Sequence, residues 1–203
     1  MKFIGITGGV GCGKSTVLAI LRELLEDKCI IVEADRVAAA LMTKEGACFQ
    51  AVTGLDWPTS IISKETGEID RPLMAKFMYE SDELRERVNA IVHPAVKDEI
   101  LHQVADAKEK HNIEYFFFEA ALLIECGYDT LTDELWYVYA DEAVRRERLS
   151  LSRGYSQEKI SSIMASQLTE EIFREKCGVI IDNSGDAADT KEQIKGCLWH
   201  KKI

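Results

Sequence analysis

Residues 3–20 read FIGITGGVGCGKSTVLAI. An apolar run ends at Thr7. Gly8, Gly9, Gly11 and Gly13 then crowd into six residues, and Lys14, Ser15 and Thr16 follow before the chain turns apolar again. Gly8–Ser15 fits the pattern G-x-x-x-x-G-K-[ST]. Glycine lets such a loop take positive φ and brings backbone N–H groups close to an anion with no Cβ in the way. A helix starting near Lys14 adds the partial positive charge of its N-terminus. In this pattern the lysine reaches the β- and γ-phosphates of a nucleotide, and the hydroxyl of Ser15 binds Mg²⁺. Gly9, Gly11, Cys12, Gly13, Lys14, Ser15 and Thr16 are therefore the candidate nucleotide-binding residues, with ATP the expected donor. Cys12 stands beside Lys14 at the helix start, a place that favours a thiolate.

Outward from this loop, strand-like apolar runs alternate with amphipathic helical ones. Strands are expected at Lys2–Thr7, Cys29–Val32, the run YFFFEAA from Tyr115, Leu135–Ala140 and Val179–Asp182. The helix after the loop places Val17, Ile20, Leu21, Leu24 and Leu25 on one face. A short helix is expected at Arg36–Met42, and residues 43–70 read as irregular. Helices follow at Pro72–Glu80, Asp82–Val92 and Pro94 to about Lys110. The residue before a proline tends to leave a helix, so His93-Pro94 reads as a helix–helix corner. Further helices are expected from Asp141 to about Ser152, over Gln157–Leu168, over Glu170–Cys177 and from Thr190. YFFF is apolar without alternation, which implies burial on both faces and a parallel sheet. Five strands alternating with helices predict a doubly wound, mostly parallel α/β sheet. The chain is expected to be one domain, with a largely helical subdomain over residues 43–110.

The bulk properties narrow the function. The 203 residues carry a formal net charge of −10, which argues against nucleic-acid binding as the main task. The six cysteines form no C-x-x-C pair and no Cys/His metal spacing, so reduced thiols in a cytoplasm are expected. No apolar run reaches membrane-spanning length. Small-molecule substrates, no membrane, and a monomer or weak homo-oligomer are the expectations.

Two acids stand where strands end, the place at which ligands collect in an open parallel sheet. Asp35 follows the second strand and is a candidate to accept the proton of an attacking hydroxyl; the competing reading is an N-cap of the following helix. Glu119 closes the third strand and is a candidate Mg²⁺ or substrate ligand; the competing reading is a structural acid with a buried partner. Four of the ten arginines fall between Arg145 and Arg153. Arg145, Arg148 and Arg153 are candidates to clamp ATP phosphates from a lid over about residues 141–175, with a solvated helix face pairing with Glu142 and Glu147 as the alternative.

With those residues placed, the chain resembles the dephospho-coenzyme A kinase family over nearly its whole length. TGGVGCGKST at Thr7–Thr16 is similar to that family's loop, and Glu33-Ala34-Asp35 to its DAD. Gly67-Glu68-Ile69-Asp70-Arg71 is similar to G-x-I-D-R, and Asn89–Pro94 to N-x-I-V-H-P. Arg148-Leu149 with Arg153 loosely follows R-L-x-x-R; Gln167 and Ile181–Gly185 match a later glutamine and I-D-N-x-G. The resemblance implies a P-loop kinase fold and ATP-dependent phosphorylation of the ribose 3′-hydroxyl of dephospho-coenzyme A. It places Asp35 on the catalytic base, beside Lys14 and Arg148 as catalytic residues. It places Arg71 and His93 on the acceptor side, Arg148 and Arg153 on the lid and Asn183 near the adenine pocket. His93 as a plain helix corner and Asp70-Arg71 as a plain helix start are the competing readings. The family's D-x-P-L-L-F-E is EAALLIE here (Glu119–Glu125), so a glutamate one methylene longer replaces the usual aspartate. Another small P-loop kinase acting on a nucleoside or nucleotide alcohol, or a catalytically weak nucleotide-binding homologue, are the alternatives. No N-K-x-D guanine-reading motif is present, which removes a GTPase switch.

Overall fold

The first apolar run forms β1 (Lys2–Thr7), buried from Phe3 to Thr7. A strand buried on both faces belongs inside a parallel sheet, and β1 is its middle strand. In the computed structural model, which describes residues 1–199, the sheet runs β2 (Cys29–Glu33), β3 (Tyr115–Glu119), β1, β4 (Glu134–Tyr139), β5 (Val179–Asp182) in that order. The pairs β1–β3, β1–β4 and β4–β5 are parallel. The helices are α1 (Lys14–Leu25), α2 (Ala34–Leu41), α3 (Phe49–Thr53), α4 (Arg71–Glu80), α5 (Asp82–Lys108), α6 (Glu142–Arg153), α7 (Gln157–Ala165), α8 (Glu170–Lys176) and α9 (Ala187–Trp199). The chain divides into two compact units, Met1–Ile31 with the chain from Ala107 onward, and Val32–Asp106.

In the first unit both faces of the sheet are covered. On one, Ile4, Ile6, Phe117, Trp136, Val138 and Ile181 pack with Val17, Leu18 and Leu21 of α1 and Ile194 of α9. The apolar spacing of α1 gives it a single core-facing stripe. On the other, Phe118 meets Tyr128 with ring centres 5.5 Å apart, and Tyr137 stacks on Phe173 of α8 at 4.7 Å. Helices on both faces of a parallel sheet make the doubly wound α/β architecture expected from the alternation of elements. Among the described residues no helix is long and apolar enough to cross a membrane.

In the second unit Asp70 caps α4, accepting the Leu73 amide at 3.0 Å, with Pro72 in the first turn. The expected break at His93-Pro94 is absent: α5 runs unbroken through Pro94. A proline inside a helix costs roughly 3 kcal/mol. Leu84, Val88, Val92, Val96, Ile100 and Val104 are all buried along one stripe that continues past the proline. Full burial of each such side chain contributes about 1.5–3 kcal/mol, so the stripe outweighs the lost hydrogen bond. Three smaller differences are local. β3 stops at Glu119 instead of running through the alanines. Residues 49–53 coil into α3 where irregular chain was expected. The last helix begins at Ala187, not Thr190, because the Asp186 carboxylate accepts the amides of Ala188 and Asp189 at 2.9 Å each, an N-cap that periodicity alone does not register.

Candidate active site

Parallel register decides which strand ends share an edge. Ile6 pairs with Glu119, Thr7 with Tyr137, and Tyr139 with Asp182. The loop after β1, the acid closing β3 and Asn183 after β5 are therefore carried to the same edge of the sheet, where α/β proteins bind ligands. Gly11 and Gly13 hold φ of +79° and +86°. Gly13 is the N-cap of α1, and the amides of Thr16 and Val17 return to its carbonyl. Among the described residues the N–H groups of Gly11, Gly13 and Ser15 find no acceptor in the protein, while that of Lys14 is directed at the Cys12 sulfur. Unmatched donors at a helix N-terminus form the donor set that an anion takes up.

Lys14 is held at its head. Its ammonium donates to the Gly8 carbonyl at 2.9 Å and lies 3.7 Å from the Glu119 carboxylate. The longer Glu119 thus has the partner that its half-buried position demands. Ser15 is exposed in the first turn of α1. The Thr7 hydroxyl, wholly buried at the end of β1, has no hydrogen-bond partner.

The back of the loop is braced by residues far along the chain. Asn183 is 2% exposed. Its Nδ2 donates to the Cys12 carbonyl at 2.8 Å, and its Oδ1 accepts the Thr190 hydroxyl at 3.0 Å. A Cβ on Gly13 would collide with that amide, so the glycine is demanded by its neighbour as well as by its φ. Arg148 spans the same joint, donating to the Asn183 carbonyl at 2.8 Å and to the Cys12 carbonyl at 3.4 Å. Arg145 lies against Gly9 and donates to the Val10 carbonyl at 2.9 Å. Arg153, at the end of α6, is exposed beside the ring of Tyr155 and makes no hydrogen bond to the loop among the described residues. The solvated-face alternative describes Arg146, which pairs with Glu142 at 2.7 Å; Arg145 and Arg148 turn inward. Gln167 and Thr190 take parts that periodicity and charge did not reveal. Gln167 carried only a motif position as its signal, and Thr190 carried none.

The expectation of a Cys12 thiolate does not hold. Cys12 is 1% exposed within the α1 core. Burial pushes its thiol pKa up, and Lys14 and Arg145 only partly oppose this.

In the second unit Asp35 is exposed in the first turn of α2. The N-cap position belongs to Glu33, so capping is not its role. Its carboxylate makes no hydrogen bond or ion pair among the described residues. Arg71, the first residue of α4, donates to the Ala39 carbonyl of α2 at 2.7 Å. His93 sits mid-helix in α5, half-buried, and burial lowers its pKa.

A family model described as Dephospho-CoA kinase matches residues 2–189. A dephospho-CoA kinase of Carboxydothermus hydrogenoformans is 33% identical over 100% of this chain and 98% of its own. One of Enterococcus faecalis is 30% identical over 97% and 96%. The solved dephospho-CoA kinase of Campylobacter jejuni superposes with a TM-score of 0.68 at 22% identity, covering 96% of each chain.

Proposed function

The chain belongs to the dephospho-CoA kinase family, and we propose from that premise that it transfers the γ-phosphoryl group of ATP to the ribose 3′-hydroxyl of dephospho-coenzyme A. The products are coenzyme A and ADP, the last step of coenzyme A synthesis. The observation that carries the reading is the loop itself: three N–H donors without acceptors and a lysine head fixed between Gly8 and Glu119.

The residues divide the work. The loop amides of Gly11, Gly13 and Ser15 hold phosphate oxygens, and the Lys14 ammonium balances their charge. Ser15 and Glu119 offer a hydroxyl and a carboxylate, the hard oxygen donors that Mg²⁺ takes together with phosphate and water, so the residues fit that ion. Bound there, Mg²⁺ offsets negative charge on the phosphates. Arg148 and Arg153 add positive charge on the α6 side. The acceptor oxygen attacks the γ-phosphorus, the bond to ADP breaks, and Asp35 takes the hydroxyl proton. Arg71 anchors α2, the helix that carries Asp35, and belongs with His93 to the acceptor side. Asn183 serves by fixing the loop, since both ends of its carboxamide are engaged within the protein. The enzyme acts on small molecules in the cytoplasm as a monomer or weak homo-oligomer, without nucleic acid; the net charge of −10 supports the last point.

Asp35→Asn tests the base. Turnover is expected to fall by about 10²–10⁴-fold while the KM for ATP changes by less than about threefold. Unchanged turnover overturns the assignment.

A further inference from the structure

Both backbone polar groups of Val10, in the middle of the phosphate loop, are held by side chains remote in sequence. The Val10 N–H donates to Gln167 Oε1 at 2.9 Å, and the Val10 carbonyl accepts Arg145 Nε at 2.9 Å. The two side chains also bond each other: Arg145 Nη2 donates to the same Gln167 oxygen at 3.1 Å. Gln167 lies between α7 and α8, and Arg145 is in α6. This closes a ring of three hydrogen bonds through one carboxamide oxygen, one guanidinium and one loop residue.

Val10 differs from the loop residues that follow it. Gly11, Gly13 and Ser15 keep their N–H groups unmatched, whereas the Val10 N–H is committed to Gln167. A flexible glycine loop gains affinity for an anion when its donors are fixed in advance, because ordering need not be supplied by binding. Gly9 and Gly11 flank Val10 and restrict the backbone least, so the hold on Val10 is what this part of the loop has in place of intrinsic stiffness. The arginine packs flat enough on Gly9 that any side chain there would meet its guanidinium.

We propose that Gln167 is a positioning residue for the donor nucleotide: with Arg145 it forms a clamp on Val10 that presets the phosphate loop from the α6–α8 segment. Gln167 need not touch ATP to affect its binding; it acts through Val10. The inference rests on the reading that this loop holds the ATP phosphates.

Steady-state kinetics of Gln167→Met, Arg145→Met, the double variant, Gln167→Glu and Lys14→Met provide the test. Gln167→Met keeps the side-chain length but removes the acceptor. Its KM for ATP is expected to rise roughly tenfold, with the KM for dephospho-coenzyme A within about twofold and the melting temperature within about 2 °C. The double variant is expected to match the more impaired single variant, since one clamp fails once. Gln167→Glu keeps an acceptor oxygen, its charge is balanced by Arg145, and its KM for ATP is expected within about threefold of the parent. An unchanged KM for ATP in Gln167→Met, equal rises for both substrates, multiplying effects in the double variant, or a Gln167→Glu enzyme as impaired as Gln167→Met each overturn the clamp. Should Gln167→Met fail to fold, Gln167→Glu and Arg145→Met decide: loss of ATP affinity in the first, or none in the second, overturns it. Lys14→Met separates the premises: if its ATP affinity is unaffected, the reading of the loop fails rather than the clamp.

Discussion

The loop after β1 and the helices α2, α4 and α5 each carry candidate site residues, but they hold them differently. Around the loop, Asn183, Arg148, Arg145 and Gln167 converge on the carbonyls of Val10 and Cys12 and the amide of Val10. In the second unit Asp35 and Arg71 are exposed, and Arg71 makes one hydrogen bond, to Ala39. The first arrangement is a preset receptor whose parts support one another. The second places single side chains on helix surfaces. Fixing charge-binding donors in advance favours phosphate capture and transition-state stabilisation, whereas Asp35 in its proposed role as proton acceptor has to be reachable by the attacking hydroxyl. The two regions should therefore respond differently to loss of one side chain.

The largest contrast is expected between Asn183→Ala and Arg71→Ala. Removing the buried carboxamide takes away its bonds to the Cys12 carbonyl and the Thr190 hydroxyl, leaving these the longer contacts to Arg148 and the Asp186 carbonyl; this should cost about 1–3 kcal/mol of stability and weaken ATP binding with it. Losing the exposed Arg71–Ala39 bond should cost under about 1 kcal/mol and affect the acceptor KM rather than that of ATP. Denaturant unfolding with two-substrate kinetics checks both. Equal destabilisation would erase the distinction between an interlocked loop and independent helix-surface residues.

A smaller effect concerns His93. Burial lowers its pKa in the folded protein, so the unfolded chain binds the proton more readily. The sign follows: His93 costs no stability while neutral in both states, and stability is lost as pH falls below the ordinary histidine range of about 6.5. His93→Gln should remove part of the decline between pH 7 and pH 5 in urea midpoints. A parallel decline in both proteins contradicts this.

The same contrast explains what the sequence made legible. The loop is contiguous, so Gly8–Ser15 announced its chemistry through spacing, and YFFF announced the buried parallel strand that ends at Glu119. Arg145 stood out by charge and Gln167 and Asn183 by motif, but their bracing role, shared with Thr190, was not legible because the four come from segments joined only by folding. Cys12 was misjudged for a related reason: proximity to Lys14 along the chain was evident, but its burial against the α1 core was not, and desolvation dominates its pKa. Pro94 misled in the opposite direction. Its local preference was real, but the buried stripe of α5 overrode it, since tertiary burial supplies more than a single proline removes.

The central claim is phosphoryl transfer from ATP to one particular hydroxyl. Its most direct test is turnover with Mg²⁺-ATP against a panel of acceptors, namely dephospho-coenzyme A, adenosine, nucleoside monophosphates and shikimate, with the product position read by phosphorus NMR. Efficient turnover is expected with dephospho-coenzyme A alone, with the new phosphate on the ribose 3′-oxygen. Faster turnover of another alcohol, or ATP binding with no transfer to dephospho-coenzyme A, would contradict it.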